Sequence, residues 1–482
     1  MIVRRSSFAT ALAGYVFMST ASGQEIPDRS QRPTGQGTPV ITLPAVTRAR
    51  LSNGLGVWLV ERHQLPLVAF SLVMQAGAEH DPATMPGLAT MTADVIDEGT
   101  ATRSSLEIAD ALDVLGATLT SSANVDATTI SLSTITRHLD AALEVYADVV
   151  VHASFPPQEF ERLRQQRLTL LLQQRDQAGT IASNAFHHIL YGDRHPYGNN
   201  SAGTEASIGS LTRDDLVGFY GKFYSPDNGT LIVVGDARME DLQPRLERLF
   251  GTWQPRHAPP ATVPDPPHRT SRVVYLIDKP GAPQSEVRIG YPALARNTPD
   301  YFPVLVMNRM LGGQFSSRLN LNLREQKGYS YGVRSAFTLT RHPGPFSAGG
   351  AVVTAHTDGA IREFLYEIDR MRREGMTAEE LSFVKKGLVG GFSLGLETSS
   401  QIMDLLTNVR LYDLPDDYYN HYAQGVDGVT LGDVSRVAAR YLDSSVMAVV
   451  VVGDVATIRT GIEAMHVGDV VLCDIAGSPA PR

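Results

Sequence analysis

The chain of 482 residues contains one cysteine, Cys473. No intrachain disulfide can form, so the fold rests on its core and not on covalent staples. In Val470-Val471-Leu472-Cys473 the thiol reads as a small buried hydrophobe. Long apolar runs are also missing. No stretch approaches the roughly 18 continuous apolar residues of a membrane helix. Positive charge is in deficit: 42 Lys and Arg against 51 Asp and Glu give a formal net charge of −9. That balance argues against nucleic acid or an anionic membrane as the principal partner.

What is present is an ordinary globular composition, 43% hydrophobic, enough for a sizeable core. Length alone suggests about three domains. The N-terminus has the layout of a secretory signal: Arg4 and Arg5, a short apolar core from Phe8 to Met18, then small residues Ala21-Ser22-Gly23. Residues 1–23 are read as this signal, which predicts an exported, periplasmic protein. Residues 24–48 are polar and rich in Pro, Gly and Thr, and read as an extended arm. Residues 254–270 hold prolines 255, 259, 260, 264, 266 and 267. Proline fixes φ and removes backbone donors, so this stretch reads as a stiff linker.

The linker separates residues 49–253 from residues 271–482, and the two segments close alike. Leu231-Ile232-Val233-Val234-Gly235-Asp236 ends one, and Val449-Val450-Val451-Val452-Gly453-Asp454 ends the other, 453 − 235 = 218 residues later. Each is a buried-strand pattern stopped by a Gly-Asp turn, preceded and followed by helical patterns. Order, spacing and flanks together point to a duplication. In the first half, strands and helices alternate irregularly, which favours α+β layers with mostly antiparallel sheets and helices packed on one side.

Residues 87–100 read Gly87-Leu88-Ala89-Thr90-Met91-Thr92-Ala93-Asp94-Val95-Ile96-Asp97-Glu98-Gly99-Thr100. The segment resembles the zinc helix of insulinase/pitrilysin-type metallopeptidases, in the mitochondrial processing peptidase-like branch, where it runs roughly G-x-A-H-x-x-E-H-x-x-F-x-G-T. Two histidines four apart share one helix face and reach one metal ion, and the Glu between them serves as general base. Gly87, Ala89, Gly99 and Thr100 keep the frame, but Thr90, Ala93 and Asp94 replace His, Glu and His. The family's third ligand, a Glu on a later helix, falls by spacing at or near Leu170. One isolated carboxylate is short of the three or so protein ligands zinc requires. No metal is therefore expected in this chain.

The second half carries Leu311-Gly312-Gly313-Gln314-Phe315-Ser316-Ser317-Arg318-Leu319, continuing through Leu323-Arg324-Glu325 to Gly328 and Tyr331. A helix should end over 322–326 and break at Gly328, with an extended segment from Tyr331, so that Arg324 and Tyr331 can converge across the turn; the local sequence alone equally allows an Arg324 paired with Glu325 or a nearby carboxylate and a Tyr331 packed at a domain seam. Arg offers paired donors, and a Tyr hydroxyl suits an oxyanion. The stretch is similar to the same family's L-G-G-x-F-S-S-R-L-x-x-x-L-R-E-x-x-G-x-x-Y. That resemblance implies catalytic roles for Arg324 and Tyr331 and substrate binding at Gly313, Phe315 and Ser316.

Three further signals are read as architecture. His187, His188 and His195 cluster, but adjacent histidines point to different helix faces, and 195–198 resembles a structural turn. Residues 116–126, with Asn124 and Asp126, resemble the family's substrate-facing edge strand. Asp413, Asp416 and Asp417 with Tyr418 and Tyr419 read as a solvated loop. The resemblance spans about residues 48–465 and implies two homologous α+β domains forming half of a clamshell. It further implies the non-zinc subunit of a heterodimeric peptidase, with zinc in a homologous partner chain and a peptide or unfolded protein as substrate. The alternative from a different class is a catalytically inert peptide-binding or structural pseudoenzyme.

Overall fold

The duplication extends to strand order in the computed structural model, which describes residues 43–480. The signal segment and residues 24–42 of the arm lie outside the described residues. The first half runs β1 (Val46–Arg50), β2 (Gly56–Glu61), β3 (Leu67–Met74), α1 (Leu88–Val95), α2 (Ser105–Leu115), β4 (Thr118–Ala123), β5 (Thr128–Ile135), α3 (Leu139–His152), α4 (Pro157–Gln174), α5 (Ala178–Tyr191), α6 (Glu205–Ser210), α7 (Arg213–Phe223), β6 (Gly229–Gly235) and α8 (Met239–Phe250). Residues 254–270 have no regular structure. The second half runs β7 (Val273–Asp278), β8 (Gln284–Leu294), α9 (Tyr301–Leu311), α10 (Arg318–Asn320), β9 (Arg334–Phe337), β10 (Gly344–Val353), α11 (Thr357–Glu374), α12 (Ala378–Leu394), α13 (Ser399–Leu411), α14 (Tyr422–Asp427), α15 (Leu431–Tyr441), β11 (Ala448–Gly453), α16 (Val455–Ala464) and β12 (Asp469–Cys473).

Each half builds a six-stranded sheet, in the orders β1-β2-β6-β3-β5-β4 and β12-β7-β11-β8-β10-β9. β2 lies parallel to β6 as β7 lies parallel to β11, and the strands from β6 to β4 and from β11 to β9 pair antiparallel. The outermost strand is where the copies differ. β1 precedes β2 and pairs antiparallel, whereas β12 comes from the chain's end and pairs parallel to β7. The equivalence reaches single caps. Thr212 and Asp215 form a capping box on α7, and Thr430 and Asp433 form the same box on α15. Each box satisfies amide donors that the first helical turn leaves unpaired.

All of β6 and all of β11 are buried, which requires cover on both sheet faces. Leu231 and Val233 pack with the first half's own helices. Ile232 and Val234 pack instead against Ile402, Met403 and Leu406 of α13, from the second half. Reciprocally, Val450 and Val452 of β11 pack against Ile181, Ala185, Phe186 and Leu190 of α5, from the first half. So each sheet keeps its own helices on one side and receives one helix from the other copy on the opposite side. Exchanging α5 and α13 ties the halves through apolar burial, at about 1.5–3 kcal/mol per fully buried large side chain. The chain entering β1 adds another tie: Leu43 lies in the second half's core, and its amide donates to Asn420 at 2.9 Å. Cys473 is buried, and burial pushes its thiol up to about 11.

Candidate functional site

Helix α1 starts against a buried carboxylate. Asp81 accepts the amides of Gly87 at 2.9 Å and Ala89 at 2.8 Å, and its burial pushes its carboxyl up to about 7. One turn into the helix, the Thr90 hydroxyl donates to the Ser201 carbonyl at 2.6 Å. Ala93 presents a methyl and is fully buried. Asp94 forms an ion pair with Arg167 of α4. Leu170, one turn beyond Arg167 on the same helix, is 42% exposed. These side chains do not fit a zinc ion. The hydroxyl is engaged, the methyl has no lone pair, and the one carboxylate is already matched to a guanidinium. Among the described residues, no three His, Cys, Asp or Glu side chains gather in a metal-binding arrangement.

The second-half motif builds an open cleft of about 780 Å³. α9 ends at Leu311, where Gly312 lies against β9. The Ser335 amide donates to the Gly312 carbonyl at 3.1 Å, and a Cβ on Gly312 would collide with the Ser335 backbone nitrogen. The Gly313 carbonyl accepts from Arg309 at 3.1 Å. Phe315 then projects to solvent, 65% exposed. Arg318 anchors α10 from below, its guanidinium gripping Glu380 at 2.8 and 2.6 Å and the Gly375 carbonyl at 2.9 Å.

From Leu321 to Gln326 the helix widens into a π-helical turn, a form frequent at functional sites. The Lys327 amide reaches back to Asn322 at 2.9 Å. Gly328 then takes φ +66°, a left-handed conformation that reverses the chain at little cost for glycine. The Tyr329 amide closes the turn on the Leu323 carbonyl at 2.9 Å, and the Tyr329 ring stacks on His356 at 4.7 Å. Regular strand begins only at Arg334, three residues after Tyr331. The Ser330 hydroxyl explains the delay: it donates to Ala351 at 2.6 Å and accepts the Gly332 amide at 3.0 Å, holding a bend at Tyr331.

This turn brings Arg324 between two exposed aromatic rings. Its Cζ lies 4.6 Å from the Phe315 ring centre and 4.8 Å from that of Tyr331. Nε contacts Glu325 at 3.1 Å. Tyr331 is 85% exposed, so its hydroxyl is free for a ligand. Arg324, Tyr331, Phe315 and Gly313 all line the cleft. Ser316 does not line it, because the chain turns into α10 directly after it.

A residue that sequence reasoning passed over holds this arrangement together. Buried Asn320 donates to the Phe315 carbonyl at 2.8 Å and accepts the Val333 amide at 3.2 Å. It clips the Phe315 loop to the chain leaving Tyr331. The only sequence signal was its place inside the motif.

The other clusters are architectural. His187 bonds the Tyr197 carbonyl at 3.0 Å, His188 meets Asp193 at 3.2 Å, and His195 accepts the Tyr197 amide at 3.0 Å, so the three do not converge. Asp126 is buried between the halves, accepting from Tyr197 at 2.9 Å, the Arg341 amide at 3.2 Å and Tyr412 at 3.3 Å. Asn124 shapes the turn before it, accepting the amides of Asp126 and Ala127, each at 2.9 Å. The acidic loop is only partly solvated. Asp416 pairs with Arg48 at 2.6 Å, Asp413 with Arg341 at 3.4 Å and Asp417 with His421 at 3.0 Å, while Tyr419 is buried.

A family model described as insulinase (peptidase family M16) matches residues 57–204, and one described as peptidase M16 inactive domain matches residues 210–388. An uncharacterized zinc protease of Mycobacterium leprae is 27% identical over 406 residues, covering 83% of this chain and 89% of that protein. A non-peptidase homolog of Helicobacter pylori is 24% identical over 379 residues, covering 78% and 86%. Among solved structures, a peptidase M16 inactive domain from Pseudomonas fluorescens matches with a TM-score of 0.79 at 27% identity, covering 85% of this chain and 98% of its own. With two models of one family covering both halves, the chain belongs to the insulinase (M16) peptidase family.

Proposed function

We propose that this chain is the non-zinc subunit of a heterodimeric, periplasmic peptide-hydrolysing enzyme, whose homologous partner chain holds the zinc. The observation that carries this reading is the contrast between its two motifs. α1 and α4 meet through the Asp94–Arg167 ion pair instead of a ligand set, while a partly buried Arg324 and an exposed Tyr331 stand side by side in a cleft of peptide-binding size. An inert scaffold has no need to keep a cation stacked between exposed rings.

In this reading the cleft receives an extended peptide. Arg324, its plane held by Phe315 and Tyr331, donates to a peptide carbonyl beside the scissile bond. The Tyr331 hydroxyl donates to the oxygen that becomes negative as the carbonyl is attacked. A fixed donor aimed at developing charge contributes on the order of 3 kcal/mol, about a hundredfold in rate. The signal-like N-terminus supports export to the periplasm.

The test is peptide hydrolysis by this chain assembled with its zinc-motif homologue, comparing wild type with Arg324→Ala and Tyr331→Phe. Each substitution is expected to lower kcat by about tenfold to several hundredfold with assembly intact. Wild-type turnover in both variants would remove the proposed role.

A further inference from the structure

The floor of the cleft carries a second cationic feature. β8, β10 and β9 lie side by side, and one cross-strand row reads Arg288, Gly349, Arg334. Residues level with one another across a sheet point to the same face, and adjacent strands are about 4.8 Å apart. Two arginines therefore flank a position with no side chain, with about 10 Å between their backbones. The next row, Gly290, Ser347 and Ala336, is also small, so the floor between the arginines stays low.

Charge in the cleft is one-sided. Among the described residues its lining holds Arg288, Arg324 and Arg334 and no Asp, Glu or Lys, with Glu286 in the adjacent row of the same sheet face, in a chain whose net charge is −9. Arg288 is partly matched, by Glu286 at 2.8 Å and the Val287 carbonyl at 2.9 Å. Arg324 touches Glu325 outside the lining. Arg334 is exposed and, among the described residues, its side chain makes no ion pair or hydrogen bond. An arginine fork matches a carboxylate in geometry as well as charge.

We propose that the Arg288–Gly349–Arg334 row is a carboxylate-binding subsite that makes this subunit select peptides with an anionic group a few residues from Arg324 and Tyr331. The inference rests on the peptide-binding reading above and adds the substrate class. Arg334 supplies the free fork, Arg288 the second cation, and Gly349 the space between them. The anion is either an Asp or Glu side chain or a peptide's terminal carboxylate, which present the same chemistry.

The experiment uses the full chain and three fluorescent peptides of one sequence: a central Glu with an amidated C-terminus, a central Gln with an amidated C-terminus, and the Gln peptide with a free C-terminus. Binding is measured by anisotropy at low ionic strength for wild type, Arg334→Gln and Arg288→Gln. At least one carboxylate peptide should bind about tenfold or more tightly than the neutral one, as for a charge-assisted hydrogen bond. Arg334→Gln should abolish that preference and leave the neutral peptide within about twofold of wild type. Preference for the Glu peptide identifies a side chain as the anion, and preference for the free terminus identifies the terminal carboxylate. Equal binding of all three peptides, or a preference that survives Arg334→Gln, overturns the subsite and leaves the peptide-binding reading standing. No binding of any peptide overturns both.

Discussion

Arg167 of α4 is ion-paired with Asp94 of α1, one helical turn before Leu170 on its own helix. A cation held by the protein joins the two helices where the family resemblance implies a metal. The pair is mostly shielded from solvent, so it is worth more than an exposed surface bridge. Arg167→Ala should destabilise the chain by about 1–2 kcal/mol, because Asp94 loses its partner. Asp94→Asn with Arg167→Met should cost less than the sum of the single changes, with a coupling of about 1 kcal/mol in a denaturation cycle. Strict additivity would show that the two helices do not depend on the pair.

Asn320 is the second place where a buried polar group carries structure for the site. Its two hydrogen bonds join the Phe315 loop to Val333. Asn320→Ala removes both and should cost about 1–3 kcal/mol in chemical denaturation. In the assembled peptidase, kcat/KM should fall about tenfold, since Phe315 no longer holds the Arg324 plane. A variant as stable and as active as wild type would contradict the clip.

The seam between the halves predicts a pH dependence. Glu79 is buried beside His342 at 3.6 Å and His80 at 3.9 Å, and its Oε2 has no hydrogen-bond partner. Burial first, then the charge of Asp126, pushes its carboxyl from an ordinary 4.5 up to about 7, against a lowering by Arg341. Burial lowers both histidines, His80 to about 4. The folded state therefore holds a proton on Glu79 that the unfolded chain releases near pH 4.5. This contribution to stability is whole below about pH 4.5, is lost as pH rises to about 7, and is level above that. Glu79→Gln keeps the shape without the charge. Its stability relative to wild type should climb over that window by up to about 3 kcal/mol. A difference that stays constant from pH 4.5 to 8 would rule out Glu79 as the titrating group.

The duplicate architecture was legible because buried β strands ending in Gly-Asp turns repeat 218 residues apart, and Gly235 and Gly453 close equivalent central strands. The exchange of α5 and α13 was not. An amphipathic helix shows that it has an apolar face, not which sheet receives it, and Ile402 and Leu406 read the same against either half. The turn between Arg324 and Tyr331 was visible through Gly328, but the π-helical widening over Leu321–Gln326 was not, and the bend held by Ser330 depends on Ala351, a partner 21 residues away. Spacing pointed to Leu170, while Arg167 one turn earlier meets Asp94. A lone arginine on a polar helix gives no sign that it answers a carboxylate 73 residues before it.

The central claim is a divided site, and the most direct measurement is peptide hydrolysis with zinc quantified, on this chain alone and mixed with a homologue that keeps the H-x-x-E-H helix. The account predicts no hydrolysis and no stoichiometric zinc for the isolated chain. For the mixture it predicts chelator-sensitive hydrolysis with about one zinc per pair. Zinc-dependent hydrolysis by the isolated chain would contradict it. So would a mixture that binds peptide and never cleaves it, which would make this chain an inert peptide-binding relative.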